Sequence, residues 1–553
     1  MFKRLQTILA GKKSLIPGIL FFCAVFALFL INSTYVSYPD EFVNLWAGKY
    51  INLGKVPYRE FFDHHLPLAW YLSAFLLKLS FNSYTLFRFF WALFQFMALF
   101  GLAVWIKKNH KDFYAYSLVF LLLYPLVTVY YWLHIILADS LAAFFFSLIF
   151  WILLLETYKK SNTIAIYLVT SFLTFCLIFS SLSYLYLGLV LYLWQVYLLL
   201  PKIKHILILV LFSAVPYFFY LLYLLLTNSI SDFYFANLTY NTDLYINIAN
   251  YTRGKFFNPL KFGFTLIYNF WQGYLPRLTT IKDLSLYLPV GSLVTLGSFI
   301  LLLLLMLRYL PIGILFFFIL SFSAPRSNIS TSINETDYQV GLYIMLGITA
   351  SLFVLGAFKK IVLKEEFFQD VLRIGRLLLL LFLLFSFIFL LYNTYSKWYL
   401  RYTQKMPSIR DTSDSAIFID EILDEDDTFW SGPYEPHESF FVKKGRMVGK
   451  YLSLLPQFRE NDVLKTNFIK QFAKEKPTII IFKIDTGIFG TLTSEFGNFF
   501  LTWLKEYYIS LKDVKGVNVL KNPTSIRLDT DLFILKKERD SVLQKLKLYK
   551  YIE

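Results

Sequence analysis

The feature that most restricts this chain is the recurrence of apolar runs too long and too uniform for the core helices of a soluble protein. Ile19–Ile31 and Leu377–Leu391 contain no charged residue. A bilayer core of about 30 Å takes about 20 apolar residues as a helix, and such stretches return repeatedly between residues 14 and 395. The fold class that follows is a polytopic α-helical membrane protein. Composition agrees, since 57% of the residues are hydrophobic and only 16% are charged, against about a quarter charged in a soluble domain. The formal net charge of +16 does not indicate nucleic acid, because Lys and Arg gather in the cytoplasmic loops of membrane proteins and orient their helices. Both cysteines, Cys23 and Cys176, lie inside apolar runs, so no disulfide framework or Cys-based metal site is available outside the membrane.

The basic residues set the expected orientation. Lys3, Arg4, Lys12 and Lys13 hold the N-terminus in the cytoplasm, ahead of what reads as an uncleaved signal anchor. A first span near 14–34 then delivers the loop 35–66 to the far side. Pro67–Phe81 is apolar but short, so it reads as an interfacial helix, with the second span at 84–106; otherwise Lys107, Lys108 and Lys111 would lie outside. Spans near 113–131, 134–154, 163–180, 182–200, 206–226, 287–307, 309–324, 339–357 and 377–395 follow. That makes about 11 in total, with every short basic cluster on one side.

Hydropathy collapses after Tyr395, which divides the chain into a membrane domain, 1–395, and a tail, 396–553. In the tail, Thr478–Phe482 and Leu532–Leu535 read as buried strands, and Ile417–Leu423 and Phe468–Lys474 as helices. The expectation is a small extracytoplasmic α/β domain. There is no internal repeat and none of the inverted repeats that mark many transporters.

The titratable chemistry concentrates in the first loop, YPDEFVNLWAGKYINLGKVPYREFFDHHLPLAWYL. Phe42, Leu45, Trp46, Tyr50 and Leu53 recur at helical spacing, so 40–53 should form an amphipathic helix lying on the membrane interface. Asp40 and Glu41 fall in its first turn, where the helix dipole favours negative charge, and simple N-terminal capping is one reading of them. Asp63, His64 and His65 precede the second interfacial helix. As a metal motif they are weak, because adjacent histidines on a helix point apart and no third ligand is evident. Arg88 and Asp139 are ionisable groups within or at the ends of spans, where such residues are costly and usually functional. His134 reads as an aromatic-belt neighbour of Tyr130, Tyr131 and Trp132.

Taken together, the Asp40-Glu41 pair after the first span, GKVPYREFFDHHLPL, Arg88 in SYTLFRFFWAL and Asp139 in ILADSLAAFFF resemble the GT-C membrane glycosyltransferases. The likeness is to members such as the protein O-mannosyltransferases and lipid A aminoarabinose transferases, and it covers about residues 14–230. The resemblance implies a GT-C fold with two interfacial helices in the first loop. It also implies a polyprenyl-phosphate sugar donor and a glycan, lipid or protein acceptor on the extracytoplasmic face of a plasma (inner) membrane. It makes Asp40 the general base, with Glu41, Asp63 and Asp139 shaping the site and His64, His65 and Arg88 as donor-phosphate candidates. His65 and Leu66-Pro67 stand where the family commonly has Lys and Pro-Pro. No cofactor is certain, and the reading leaves room for a divalent cation.

The loop 227–286 carries Arg253, Lys255, Lys261, Arg277 and Lys282 against Asp232, Asp243 and Asp283. Arg253 and Arg277 are phosphate candidates because guanidinium grips phosphate bidentately; attraction to membrane lipid headgroups is the competing explanation. In the tail, Glu435 and His437 in WSGPYEPHESFF are either acceptor contacts or solvated surface groups. Two rival functions stand beside the transferase: a lipid-linked sugar transporter, which should carry repeats and midplane charges, and a polysaccharide polymerase or ligase, whose key residues should lie in the later loop.

Overall fold

The computed structural model describes residues 15–160, 163–200, 202–245, 287–323, 338–357, 366–403 and 410–553. The helical part comprises α1 (Leu15–Ser33), α2 (Pro39–Asn52), α3 (Leu68–Leu79), α4 (Tyr84–Asn109), α5 (Tyr114–Thr128), α6 (Ala138–Tyr158), α7 (Ile164–Ser180), α8 (Leu185–Leu199) and α9 (Ile203–Leu226). A π-helical segment, Phe235–Tyr245, follows. Then come α10 (Tyr287–Arg308), α11 (Leu310–Phe322), α12 (Gly341–Ala357) and α13 (Glu366–Thr403). Among the described residues, 7 helical segments are long and apolar enough to cross a membrane: α4, α6, α9, α10 and α13, with α8 and α12 each extended by a preceding tight turn. The chain is therefore a polytopic helical membrane protein. Helices α1, α5, α7 and α11 occupy the other expected spans and are shorter, from 13 to 19 residues. Helix α3, at 12 residues, is too short to cross, as its length of about 18 Å requires.

Small residues decide which helices occupy the centre. Ala142, Ala143 and Ser147 let neighbours approach α6 closely, and α6 and α12 are enclosed on nearly every side. Gly297 on α10 has no room for a Cβ against Ser351 of α12, whose hydroxyl donates to the Leu293 carbonyl at 2.8 Å. Helix α9 lies at the periphery and turns Leu207, Leu211, Phe218 and Leu226 outward, which suits a lipid-facing surface. At one end of the bundle, Tyr158, Arg308, Tyr309, Phe353 and Ala357 converge; Lys160, Lys202 and His205 share a small cavity in the neighbouring loops. Asp40, Asp139 and Tyr338 meet at the opposite end.

Helix α13 runs past the expected domain boundary at 396. It runs for 38 residues, because no Gly or Pro interrupts the sequence between Arg376 and Thr403 and helix propagation continues past the apolar stretch. The tail is described again from residue 410. It contains α14 (Asp414–Ile422), β1 (Thr428–Gly432), α15 (Pro436–Phe440), β2 (Arg446–Met447), α16 (Asp462–Lys474), β3 (Ile479–Phe482), β4 (Gly487–Ile488), β5 (Thr491–Leu492), α17 (Asn498–Tyr507), β6 (Tyr508–Ser510), β7 (Leu532–Leu535) and α18 (Arg539–Leu548). Strands β2-β1-β3-β7-β6 form a mixed sheet, with β1 parallel to β2 and β3, and β7 antiparallel to β3 and β6. The expected strands and both helices are present. Every residue of β3 is buried, as a strand covered on both faces requires. Trp430, Phe468, Phe472, Phe482 and Phe500 pack ring against ring beneath the sheet.

The tail domain docks on the first loop and on the segment that follows α9. Trp46 Nε1 donates to the Pro436 carbonyl at 3.2 Å, Phe62 N–H to the Lys450 carbonyl at 2.8 Å, and Lys450 Nζ pairs with Asp232 at 2.7 Å. This changes the reading of α2. Phe42, Leu45, Trp46 and Tyr50 do form its apolar face, but that face is buried between α3 and the tail domain rather than laid on the interface. Sequence periodicity gives the stripe without saying what covers it.

Candidate functional site

Asp40 and Glu41 are consecutive helical residues, so their side chains diverge by about 100°. Pro39 takes the first position of α2, a place it favours because no N–H is needed there. Glu41 turns inward. It is fully buried and accepts from Arg88 Nη1 at 2.7 Å and from the Tyr84 hydroxyl at 2.6 Å. Arg88 is equally buried, and its remaining donors go to the Ser33 carbonyl at 3.2 Å and the Tyr35 carbonyl at 3.0 Å. Two of the expected site residues therefore neutralise each other behind the site. The guanidinium is occupied by a carboxylate and two carbonyls and does not line the cavity, which corrects its expected role at the donor phosphate. Glu41 likewise does not reach the cavity.

Asp40, Asp63, His64, His65 and Asp139 do meet, on the wall of a cavity of about 300 Å³. Asp40 accepts a hydrogen bond from the Tyr434 hydroxyl at 2.5 Å and another from the Tyr338 hydroxyl at 3.4 Å. Asp139 sits in the first turn of α6, where the helix dipole suits a carboxylate, and accepts from the Tyr184 hydroxyl at 2.5 Å. Tyr338, Tyr434 and Tyr184 were not foreseen. They belong to segments at least 45 residues from their partners, so no local spacing announces them; only Tyr434 lies in a stretch that the sequence singles out.

The Asp63-His64-His65 step also departs from expectation. It lies in a loop, not on a helix, so the two imidazoles are not forced apart and their centroids stand 4.1 Å from each other. Asp63 Oδ1 accepts from His64 N–H at 2.6 Å, from His65 N–H at 3.2 Å and from His65 Nδ1 at 2.8 Å. A carboxylate beside Nδ1 can only accept, so Nδ1 carries the proton and Nε2 is left to face other groups. Burial pushes the Asp63 carboxyl upward, but the neighbouring His65 and His64, with the His64 N–H, hold it below the ordinary value. Its other oxygen, Oδ2, is buried with no hydrogen-bond partner among the described residues. The ligand atoms of Asp63, His64 and His65 lie within 4.8 Å of one another, close enough for a divalent cation to bridge. The π-helical segment braces this loop, with Asn241 donating to the His64 carbonyl at 2.9 Å and Tyr245 4.5 Å from the His64 ring.

Among the described residues the cavity wall carries three aspartates and no Lys or Arg; the histidines are its only basic groups. Arg253 and Arg277 lie outside the described residues. His134 is buried beside Tyr35 and Trp132 rather than exposed at an aromatic belt. Neither Glu435 nor His437 lies on the cavity wall; Glu435 is largely buried, whereas His437 keeps 40% of its side chain exposed. Glu435 pairs with Lys483 at 2.7 Å, both largely buried, and burial with the nearby Glu438 pushes its carboxyl up to about 8 against the opposing pull of Lys483. His437 packs on Phe42 at 4.5 Å, and its burial lowers its basicity. No family model matches the chain, and no curated protein matches it significantly.

Proposed function

We propose that this chain is a GT-C-type membrane glycosyltransferase that moves a sugar from a polyprenyl-phosphate donor to an extracytoplasmic glycan, lipid or protein acceptor. The observation that carries this reading is the convergence of Asp40, Asp63, His64, His65 and Asp139 on one cavity, from the first loop and the start of α6. An eleven-span topology fits. The cavity lies at the end of the bundle opposite Lys160, Lys202 and Arg308, and basic loops mark the cytoplasmic side.

In this reading the acceptor hydroxyl replaces a tyrosine hydroxyl on Asp40. Its oxygen attacks the anomeric carbon, the sugar–phosphate bond breaks with its electron pair leaving on the phosphate, and Asp40 takes the proton. His64 and His65 supply the positive charge that the departing phosphate needs, with Asp63 fixing their position. Purified protein given radiolabelled polyprenyl-phosphate sugars should consume one of them. Asp40→Asn should slow transfer by at least about 100-fold while leaving the unfolding temperature in place. Undiminished transfer in that variant overturns the assignment. Activity that survives Asp40→Asn but not Arg253→Ala or Arg277→Ala points to a polymerase or ligase instead.

A further inference from the structure

We infer that the tail domain supplies the acceptor subsite, that the acceptor is a pyranose-containing glycan, and that Phe489 is the ring on which the sugar stacks; this rests on the transferase reading. Strands β4 and β5 form a two-residue hairpin, with Ile488 opposite Thr491. Its two central residues, Phe489 and Gly490, both have positive φ, at 50° and 78°. Such a turn matches the twist of the flanking strands and ordinarily takes Asn-Gly. Glycine at the second position meets that demand, but a bulky aromatic at the first is a strained choice. The strain is not offset by burial, because Phe489 is 52% exposed. A residue that neither suits its backbone nor fills a core needs another reason to be there.

Its position supplies that reason. Phe489 lines the cavity that holds Asp40, Asp139 and the histidines. Its ring lies 6.1 Å from Tyr245, which is itself 4.5 Å from His64. An aromatic wall thus runs from the histidine pair to the tail domain. Tyr434, Tyr451, Ser453 and Phe458 of the same domain line the cavity beside it, and Tyr434 holds Asp40. A pyranose has an apolar C–H face and a rim of hydroxyls. Aromatic faces set among carboxylates and hydroxyls match both, since the rings take the apolar face and the polar groups fix orientation. An acyl chain has no use for the polar half of this wall.

The test is Phe489→Asn in the full-length protein, a change that suits the turn. Its unfolding temperature should equal or exceed that of the parent, while the acceptor KM rises about tenfold, equivalent to about 1.4 kcal/mol, with kcat at saturating acceptor retained. Phe489→Trp should restore the KM. Binding is read separately by saturation-transfer NMR with methyl glucoside, mannoside and galactoside. The parent should transfer saturation to at least one of them, and Phe489→Asn should lose it. An unchanged KM, equal pyranoside signals from both proteins, no pyranoside signal from the parent, or a signal only from a dodecyl-chain lipid overturns the inference. Failure of the parent to consume any polyprenyl-phosphate sugar defeats the transferase reading alone, because the NMR measurement needs no turnover.

Discussion

Two carboxylate–base groupings flank the same loop and differ in what they leave over. Glu41 and Arg88 are fully buried, and every guanidinium nitrogen has an oxygen partner. Asp63 joins the backbone of His64 and the ring of His65 through one carboxylate oxygen, Oδ1, on a cavity wall. The first grouping ties α2 to α4 and presents no charge to a ligand; in the second, Asp63 Oδ2 has no hydrogen-bond partner among the described residues and the His65 ring stays part-exposed. Charge alone therefore does not mark a site. What matters is whether the surrounding donors and acceptors have already been consumed.

That comparison breaks first at Arg88. Arg88→Met strands Glu41 as a buried unpaired carboxylate and should cost about 3–5 kcal/mol, read by thermal unfolding in detergent. Adding Glu41→Gln should recover much of the loss. A single variant as stable as the parent would mean that the pair is not the clamp described. The histidines should behave differently. His64→Asn with His65→Asn should lower the neutral-pH unfolding temperature less than Arg88→Met does and reduce sugar transfer about 100-fold, measured with the donor that the parent consumes.

The same double variant sharpens the electrostatic side. The folded Asp63 carboxyl lies below its ordinary value, because the neighbouring histidines outweigh burial. Its contribution to stability is thus complete above about pH 4 and is lost as pH falls through the lowered value. Without the histidines burial dominates and raises the carboxyl, so the variant's stability deficit should be largest near neutral pH and shrink as pH falls through the carboxylate range; a deficit that does not change with pH would contradict the pairing. The smallest effect concerns the tail domain. Glu435, raised to about 8, favours the folded state most below the ordinary carboxylate range, and that contribution is lost as pH rises through about 8. Glu435→Gln should flatten the fall in unfolding temperature from about pH 5 to about pH 9. An equally steep fall in the variant would show that another group titrates there.

Much of the architecture was legible from periodicity and hydropathy, which are local quantities. Apolar length announced the spans, and short length kept Leu68–Leu79 from being one. The buried strands Ile479–Phe482 and Leu532–Leu535 stood out as apolar runs. Boundaries were less legible. The fourth span was expected to end at 154, but α6 continues to Tyr158 and carries Glu156 into the interior, where it meets His110 at 3.7 Å and Tyr167 at 3.3 Å. Sequence reasoning passed over that polar group because helices do not stop where hydropathy does.

By itself the sequence determined that the chain crosses a membrane many times, that a mixed α/β tail follows, and that the titratable residues concentrate in the first loop. These properties follow from apolar run length and residue type, which act over a few turns of chain. Tertiary structure alone decided that Asp40 faces a cavity while Glu41 is spent on Arg88, and that the loop at Asp63 brings two imidazoles together. It also decided that a tyrosine 394 positions away holds Asp40. Side chains of the same type acquire different roles according to which partners the packing delivers, and those partners come from segments with no local sequence relation to them.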